Sequence, residues 1–350
     1  MKPNRFLILA ATAMLLIAAA RVPRPAQPSA AAETPQQSRD FVLVIHGGAG
    51  NYKNQSPERA EPSRAAITHA AEAGAAILRQ GGRSIDAVEA SLRIMEDSGA
   101  FDAGRGAYYS QAGVPELDAA IMDGKTLQAG SVASVRHIAN PISLARMVME
   151  RTKHVMLVGT GAEEFARAQG VTLVPPFYFF NEREWKRYQD KKAAEEKKSS
   201  SLMNSPVNQE EHVYGTTGAV ALDQAGNLAA GTTTGGTSFK MTGRVGDSPL
   251  IGAGTYANNE SCAVSGTGEG EFYIRNIVAA DICERVRYLH VPLEQAANDV
   301  VMKELVEQHG EGGVIAVDRQ GHVATPFNTN GMLHAIVRSD GKITIEVYKP

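Results

Sequence analysis

Three clusters of glycine and small hydroxyl residues carry the best candidate chemistry. They are Gly215-Thr216-Thr217-Gly218, Thr232-Thr233-Thr234-Gly235-Gly236 and Gly266-Thr267-Gly268-Glu269-Gly270. A threonine hydroxyl inside a chain is a poor nucleophile. At a chain terminus it gains its own α-amine, with an unperturbed pKa of about 7.7–8.0. That amine can take the hydroxyl proton near neutral pH without any histidine. A cut at Gly215–Thr216 would create such a terminus, and glycine there permits the strained backbone that favours attack on the preceding carbonyl. Arg244 and Asp247, in Gly243-Arg244-Val245-Gly246-Asp247-Ser248-Pro249, offer one charge of each sign. An arginine fork suits a carboxylate, and the aspartate suits an ammonium on the same substrate. Plain roles fit the same residues: threonine favours β-strands, and Arg244 with Asp247 is an i,i+3 pair able to bridge itself.

Other chemistries fit less well. Gly159-Thr160-Gly161-Ala162-Glu163-Glu164 follows a strand pattern and opens a helix, but a dinucleotide fingerprint needs a small residue where Glu164 stands. Gly252-Ala253-Gly254-Thr255-Tyr256-Ala257 matches the letters without a following helix, and no P-loop ending exists. Two cysteines and nine histidines without HExxH spacing argue against structural zinc, and no Gly-x-Ser-x-Gly elbow occurs. Basic and acidic residues nearly balance, 35 against 38, so nucleic acid is not expected as a partner.

The elements that must position these residues follow from pattern. Phe41–Ile45 reads as a buried strand opening into a glycine loop at His46-Gly47-Gly48-Ala49-Gly50. A helix is expected over 63–80, with Ser63 as N-cap and Gly81-Gly82 as its stop, and a second over 84–97. Strands are expected within 116–135 and at 154–158. The stretch 183–212 is highly charged, then Ser-rich, and reads as a solvated helix fading into a flexible linker at about 187–212. Beyond it come a hairpin, 217–223 and 227–234 around Gln224-Ala225-Gly226, and a strand pair around 261–267. Helices at 270–289 and 293–308 and a last hairpin around Gln320-Gly321 complete the series. No internal repeat is present. This order suits layered α+β packing rather than a doubly wound sheet.

The N-terminus has a different character. Lys2 and Arg5 precede the apolar run Phe6–Ala20, which is shorter than the roughly 20 residues needed to span a bilayer. Small residues and a Pro/Ala-rich lead-in follow. The pattern predicts a signal peptide with lead-in over 1–32, export to a bacterial periplasm and no stable membrane anchor. Cys262 and Cys283 could pair there, but their spacing does not demand it, and they are read as two buried thiols.

Read as a set, the blocks resemble the plant-type asparaginase and isoaspartyl peptidase family of N-terminal nucleophile hydrolases. The resemblance runs over about residues 40–345. It passes through Ile45–Gly50, Phe101-Asp102-Ala103-Gly104-Arg105-Gly106, Glu116-Leu117-Asp118-Ala119 and Met122-Asp123-Gly124. It resumes at Gly215–Asp223 and continues through Gly243–Leu250 and Gly252–Gly254 to Pro326-Phe327-Asn328-Thr329. It implies a four-layer αββα sandwich, made as a precursor that cuts itself before Thr216. The products would be an α subunit, 33–215, and a β subunit, 216–350, with two αβ units pairing as α2β2. By position, the resemblance makes Thr216 the nucleophile, its α-amine the base and Thr234 the support of its hydroxyl. Thr267 and the Gly268 amide become the oxyanion hole, Arg244 the carboxylate clamp, and Asp247 with the Gly270 carbonyl the ammonium site.

No cofactor is implied for catalysis. The family also has a main-chain sodium loop, which corresponds to Met95, Glu96, Ser98, Phe101, Ala103 and Arg105. The implied reaction is hydrolysis of β-aspartyl dipeptides and L-asparagine to release L-aspartate. A glycosylated-asparagine amidase is the rival within the family, and a non-catalytic periplasmic amino-acid-binding protein the rival outside it. Asp102 stands where the family usually has Asn, and Gly266 and Glu269 flank the oxyanion residues where small or polar groups are commoner.

Overall fold

The structure, a computed structural model, describes residues 40–52, 57–200 and 215–348. The expected signal segment and the end of the expected linker lie outside the described residues. The described chain is mixed α/β, with an eight-stranded sheet in the order β12-β11-β1-β5-β6-β2-β3-β4 and a four-stranded sheet in the order β10-β9-β8-β7. The large sheet holds β1 (Val42–Gly50), β2 (Leu117–Asp123), β3 (Ala129–Val135), β4 (Met156–Val158), β5 (Thr217–Leu222), β6 (Leu228–Thr234), β11 (Gly331–Arg338) and β12 (Ile343–Glu346). The small sheet holds β7 (Thr255–Ala257), β8 (Cys262–Gly268), β9 (Gly312–Asp318) and β10 (Val323–Ala324). Neighbours pair antiparallel except β3 with β4.

Period-two alternation divides each strand between two cores. In β1, Leu43 and Ile45 join one cluster with Ile67, Leu78, Val88 and Leu92 from α1 (Pro57–Arg79) and α2 (Ser84–Ser98). Val42 and Val44 instead meet Ala263, Ile315 and Val317 of the small sheet, along with Val220 and Leu228. A third cluster packs Val264, Val314 and Ala316 against α7 (Val278–Leu289) and α8 (Leu293–Asn298). The cores therefore lie on both sides of each sheet, which is why the central strands read as near-continuous apolar or small-residue runs.

Several expectations need correction. The glycine run after Ile45 is not a loop; β1 continues through it to Gly50, with a register shift between His46 and Ala49. Helix α1 begins at Pro57, six residues before the expected cap, and carries Pro62 inside it, so Ser63 is not the N-cap. Proline suits the first helical position and Glu58 the positive end of the helix dipole, which explains the early start. The single helix expected at 270–289 is broken into α6 (Gly270–Asn276) and α7 by Ile277, whose φ is +49°. The amides of Ala279 and Ala280 donate to the carbonyls of Ala253 and Gly252, tertiary bonds that periodicity does not reveal.

Half of the expected linker is helix, since α5 (Glu182–Ser200) runs through 187–200. It is anchored by Trp185 and Tyr188, which contact Tyr109 at ring-centroid distances of 5.3 and 6.0 Å. Cys262 and Cys283 form a disulfide rather than two thiols. Their Cα atoms stand 5.3 Å apart where α7 crosses the start of β8, within the usual span of such a bond. Strands β11 and β12 had no sequence expectation. The structure places β11 directly beside β1.

Candidate functional site

Thr216 stands at the head of β5, a central strand lying between β1 and β6. The register pairs Thr217 with Thr233, which brings Thr216 opposite Thr234, the last residue of β6. Their hydroxyl oxygens are 2.9 Å apart and both side chains are buried. Thr234 Oγ1 also accepts the Gly236 N–H at 2.9 Å and donates to Asp102 Oδ2 at 3.3 Å. Asp102 Oδ1 accepts the Tyr108 N–H at 2.7 Å. Burial pushes the Asp102 carboxyl up to about 7, against the pull of the Tyr108 amide and of buried Lys240. The Asp102 N–H donates to the carbonyl of Gly215, the carbonyl of the proposed scissile bond, at 3.0 Å.

Gly215 is required for space rather than for strain. It is not among the glycines of positive φ, but a Cβ there would stand 2.6 Å from Asp102 Cβ and 2.9 Å from Asp102 N. The expectation of a strained glycine is therefore replaced by one of close approach.

A hydroxyl has one proton to donate, which gives the Thr216–Thr234–Asp102 chain a direction. An ionised Asp102 only accepts, so Thr234 donates to it and Thr216 donates to Thr234. An asparagine at this position would keep its oxygen on the Tyr108 amide and present its NH2 to Thr234, reversing the chain. Asp102→Asn is expected to slow cleavage of the precursor about tenfold or more, the worth of a hydrogen bond to a charged group. A time course of fragment appearance on a denaturing gel checks this; an unchanged rate would remove Asp102 from the chemistry.

The substrate-clamp residues are gathered by α6 and the loop after β6. A Cβ on Gly270 would lie 2.8 Å from both Arg244 Nη2 and Asp247 Oδ1, so the three form one group. The plain alternative, an ion pair between Arg244 and Asp247, is not formed. Arg244 does not bridge Asp247; its Nε and Nη2 donate to Glu271 Oε1 and Oε2 at 3.0 and 2.9 Å. Asp247 is buried, its Oδ2 has no hydrogen-bond partner among the described residues, and burial raises its carboxyl to about 7. A buried carboxylate oxygen next to a guanidinium can accept a further hydrogen bond.

Thr267 and Gly268 end β8 beside this group; Gly266, one step back, comes within 3.7 Å of Asp247 Oδ2 by its hypothetical Cβ. Thr267 is buried and its Oγ1 accepts the Ala49 N–H at 3.3 Å. Sequence reasoning missed two members of the surroundings. Glu271 follows Gly270 directly, so its signal was adjacency to the quoted motif. Lys240 is buried, donates to the Glu116 carbonyl at 2.8 Å and stands 3.9 Å from Asp118 Oδ2. No local pattern announces it.

The residues of the sodium loop fit a hard cation held by main-chain oxygens. Gly104 and Gly106 pack so closely on the carbonyls of Glu96 and Phe101 that a Cβ on either would collide with them. The Glu96 carboxyl turns away, accepting from Thr233 Oγ1 at 2.7 Å and Ile142 N at 3.0 Å, and burial raises it to about 8. One carboxyl oxygen of Glu96 is thus taken up by Thr233 and Ile142, so the expected cation ligand at this position is its peptide oxygen. The Met95 carbonyl accepts the Ser98 hydroxyl at 2.7 Å and that of Ala103 the Gly106 N–H at 3.1 Å.

The layout sets a Gly–Thr bond at the head of a central strand beside a group of charged residues. The asparaginase family model matches residues 39–347, and the chain belongs to that family. It is 44% identical over 312 residues to an isoaspartyl peptidase of Salmonella typhimurium, covering 88% of this chain and 98% of the relative. It is 41% identical to an isoaspartyl peptidase/L-asparaginase of Bos taurus, covering 86% of this chain and 94% of that one. A putative isoaspartyl peptidase/L-asparaginase of Dictyostelium discoideum is also 41% identical, with 89% and 100% covered.

Proposed function

We propose that this chain is an autoprocessing threonine amidohydrolase that hydrolyses β-aspartyl dipeptides and L-asparagine, releasing L-aspartate. The observation that carries this reading is the 2.9 Å contact of Thr216 Oγ1 with Thr234 Oγ1, at the first residue after a glycine whose carbonyl is already hydrogen-bonded. The names of the relatives in Salmonella typhimurium and Bos taurus support the substrate class.

In the precursor, Thr216 Oγ attacks the Gly215 carbonyl carbon. The Asp102 N–H, already on that oxygen, stabilises the oxyanion. The peptide C–N bond breaks, the nitrogen takes a proton, and water splits the resulting ester. The free α-amine of Thr216 then serves as base in turnover. Thr216 Oγ bonds to the β-carbonyl carbon of the substrate, and the leaving nitrogen takes the proton. Water hydrolyses the ester to give L-aspartate and restore the hydroxyl. Thr234 orients the nucleophile, and Thr267 Oγ1 with the Gly268 amide holds the oxyanion. Arg244 receives the α-carboxylate beside Glu271, and Asp247 with the Gly270 carbonyl receives the α-ammonium.

The same reading includes a four-layer αββα sandwich, pairing of αβ units as α2β2, and export to a periplasm. It also includes a structural sodium ion on the carbonyls of Met95, Glu96, Ser98, Phe101, Ala103 and Arg105, with no cofactor in catalysis.

Intact mass and a denaturing gel of the purified protein test the proposal. Two fragments are expected, the second beginning at Thr216, in a preparation that hydrolyses β-aspartyl-leucine and L-asparagine. A chain that remains whole while hydrolysing β-aspartyl peptides would overturn the mechanism. Faster turnover of glycosylated asparagine than of either substrate would overturn the substrate class.

A further inference from the structure

A buried chain of polar groups joins the strand of the nucleophile to the loop that carries Asp247. His46 in β1, Thr232 in β6, Ser265 in β8 and Thr255 in β7 are all fully buried. His46 Nε2 is 3.1 Å from Ser265 Oγ, which is 2.7 Å from Thr232 Oγ1. Thr232 Oγ1 donates to the Gly254 carbonyl at 3.2 Å. Thr255 Oγ1 lies 2.6 Å from Thr232 Oγ1 and 3.0 Å from the Ser248 carbonyl.

The proton count closes. The His46 ring lies against both the Thr216 main chain and Ser265; with its single N–H on Nε2, Ser265 accepts from it. Ser265 then donates to Thr232 and Thr232 to the Gly254 carbonyl. Thr255 donates to the Ser248 carbonyl or to the remaining lone pair of Thr232. Each hydroxyl donates once and the bonds run one way, from His46 to Gly254.

Both ends touch the site. His46 pairs with Gly218, two residues after Thr216, and a Cβ on Gly218 would collide with His46 Nε2 and Ser265 Oγ. At the far end the Gly254 N–H donates to the Asp247 carbonyl at 3.1 Å. A Cβ on Gly254 would stand 2.6 Å from Asp247 Oδ2, so Gly254 forms the wall against which that carboxylate rests. Asp247 Oδ2 has no hydrogen bond of its own to hold it. It packs on Gly254, whose carbonyl accepts from Thr232 Oγ1 at 3.2 Å and from the Gly266 N–H at 2.9 Å.

We propose that the His46–Ser265–Thr232–Gly254 chain is a positioning device that fixes the Asp247 carboxylate for the substrate α-ammonium. It refers that carboxylate to the strand carrying the nucleophile. Ser265 and Thr232 are thus specificity residues that never touch substrate. The inference rests on the reading of Asp247 as the ammonium site. Buried hydrogen-bonded networks hold geometry in this way because an unmade bond inside them is costly.

The test uses the processed enzyme with Ser265→Ala, Thr232→Val and Thr232→Ser. Kinetics on β-aspartyl-leucine are combined with competitive inhibition by L-aspartate and by succinate, which lacks the ammonium. Ser265→Ala and Thr232→Val are expected to raise KM and the aspartate inhibition constant at least fivefold. They should leave kcat and the succinate constant within twofold and precursor cleavage intact. Thr232→Ser, which retains the hydroxyl, is expected to restore parental values. Equal weakening of aspartate and succinate, a fall in kcat alone, or no change in either variant would overturn the proposal. If Ser265→Ala fails to fold, the Thr232 pair decides alone. Asp247→Asn separates the two readings: if it fails to weaken aspartate relative to succinate, the assignment of Asp247 falls, whatever Ser265 does.

Discussion

Thr216→Ala is expected to yield one uncleaved chain with no measurable hydrolysis of β-aspartyl-leucine. The substitution removes the atom that attacks twice, first at the Gly215 carbonyl and then at the substrate. Because the α-amine exists only after the first attack, the variant loses nucleophile and base together. A loss of about 10⁴-fold or more in kcat/KM is the scale seen when a nucleophile is deleted from a cooperating set. Unfolding does not explain such a loss. Thr234 keeps the Gly236 amide and Asp102 as partners, so the stability cost is that of one hydroxyl pair, about 1 kcal/mol. The check is mass spectrometry beside a thermal melt. A variant that melts near the parent yet stays whole supports self-cleavage. Appearance of the same two fragments from Thr216→Ala would assign the cut to an external protease. Thr216→Ser, which keeps hydroxyl and amine, is expected to cleave and turn over.

The proposed nucleophile has a local signal. A charged stretch, a glycine, a threonine and a strand pattern follow one another, and the register of one hairpin then brings Thr234 opposite. The oxyanion and clamp roles proposed for β8 and the 243–249 loop came only through the motif resemblance, since no local pattern joins these segments to Thr216. Of the two readings of Arg244 and Asp247, the local i,i+3 ion pair is not formed, because α6 brings Glu271 to the arginine.

The fold errors have the same origin. Charge density along 187–200 gave a linker, whereas two aromatic side chains at its start suffice to dock a helix. Hydrophobic spacing gave one helix over 270–289, whereas two carbonyls of the 252–253 loop divide it. Glycine content gave a loop at 46–50, whereas the neighbouring β11 supplies the ladder that keeps it a strand. In each case the deciding partner is remote in sequence.

Asp247 gives the second large effect, and its sign follows from burial. Burial raises its carboxyl from the ordinary aspartate value of 3.8 to about 7, with Arg244 pulling it back and Glu271 and Asp118 adding to the rise. The neutral acid cannot pair with an ammonium. For substrates carrying one, the protonation of Asp247 by itself is expected to lower kcat/KM about tenfold per pH unit below about 7, on top of the fall due to the Thr216 amine. Bound substrate supplies the missing positive charge and holds the carboxylate ionised, so kcat should be flatter over the same range. Stability runs the other way. The folded chain holds this proton more tightly than the unfolded one, so the group opposes folding increasingly as pH rises from about 4 through 7. The charge needed for recognition is therefore kept at some expense to the fold. Asp247→Asn is expected to raise KM for β-aspartyl-leucine at pH 8 by at least tenfold and to remove one acidic ionisation from the kcat/KM profile. The Thr216 amine would remain as the titrating group. The measurement is kcat and KM at half-unit steps from pH 5.5 to 9 for both proteins. An acidic limb that persists unchanged in the asparagine variant would show that Asp247 is not the group whose ionisation admits the substrate.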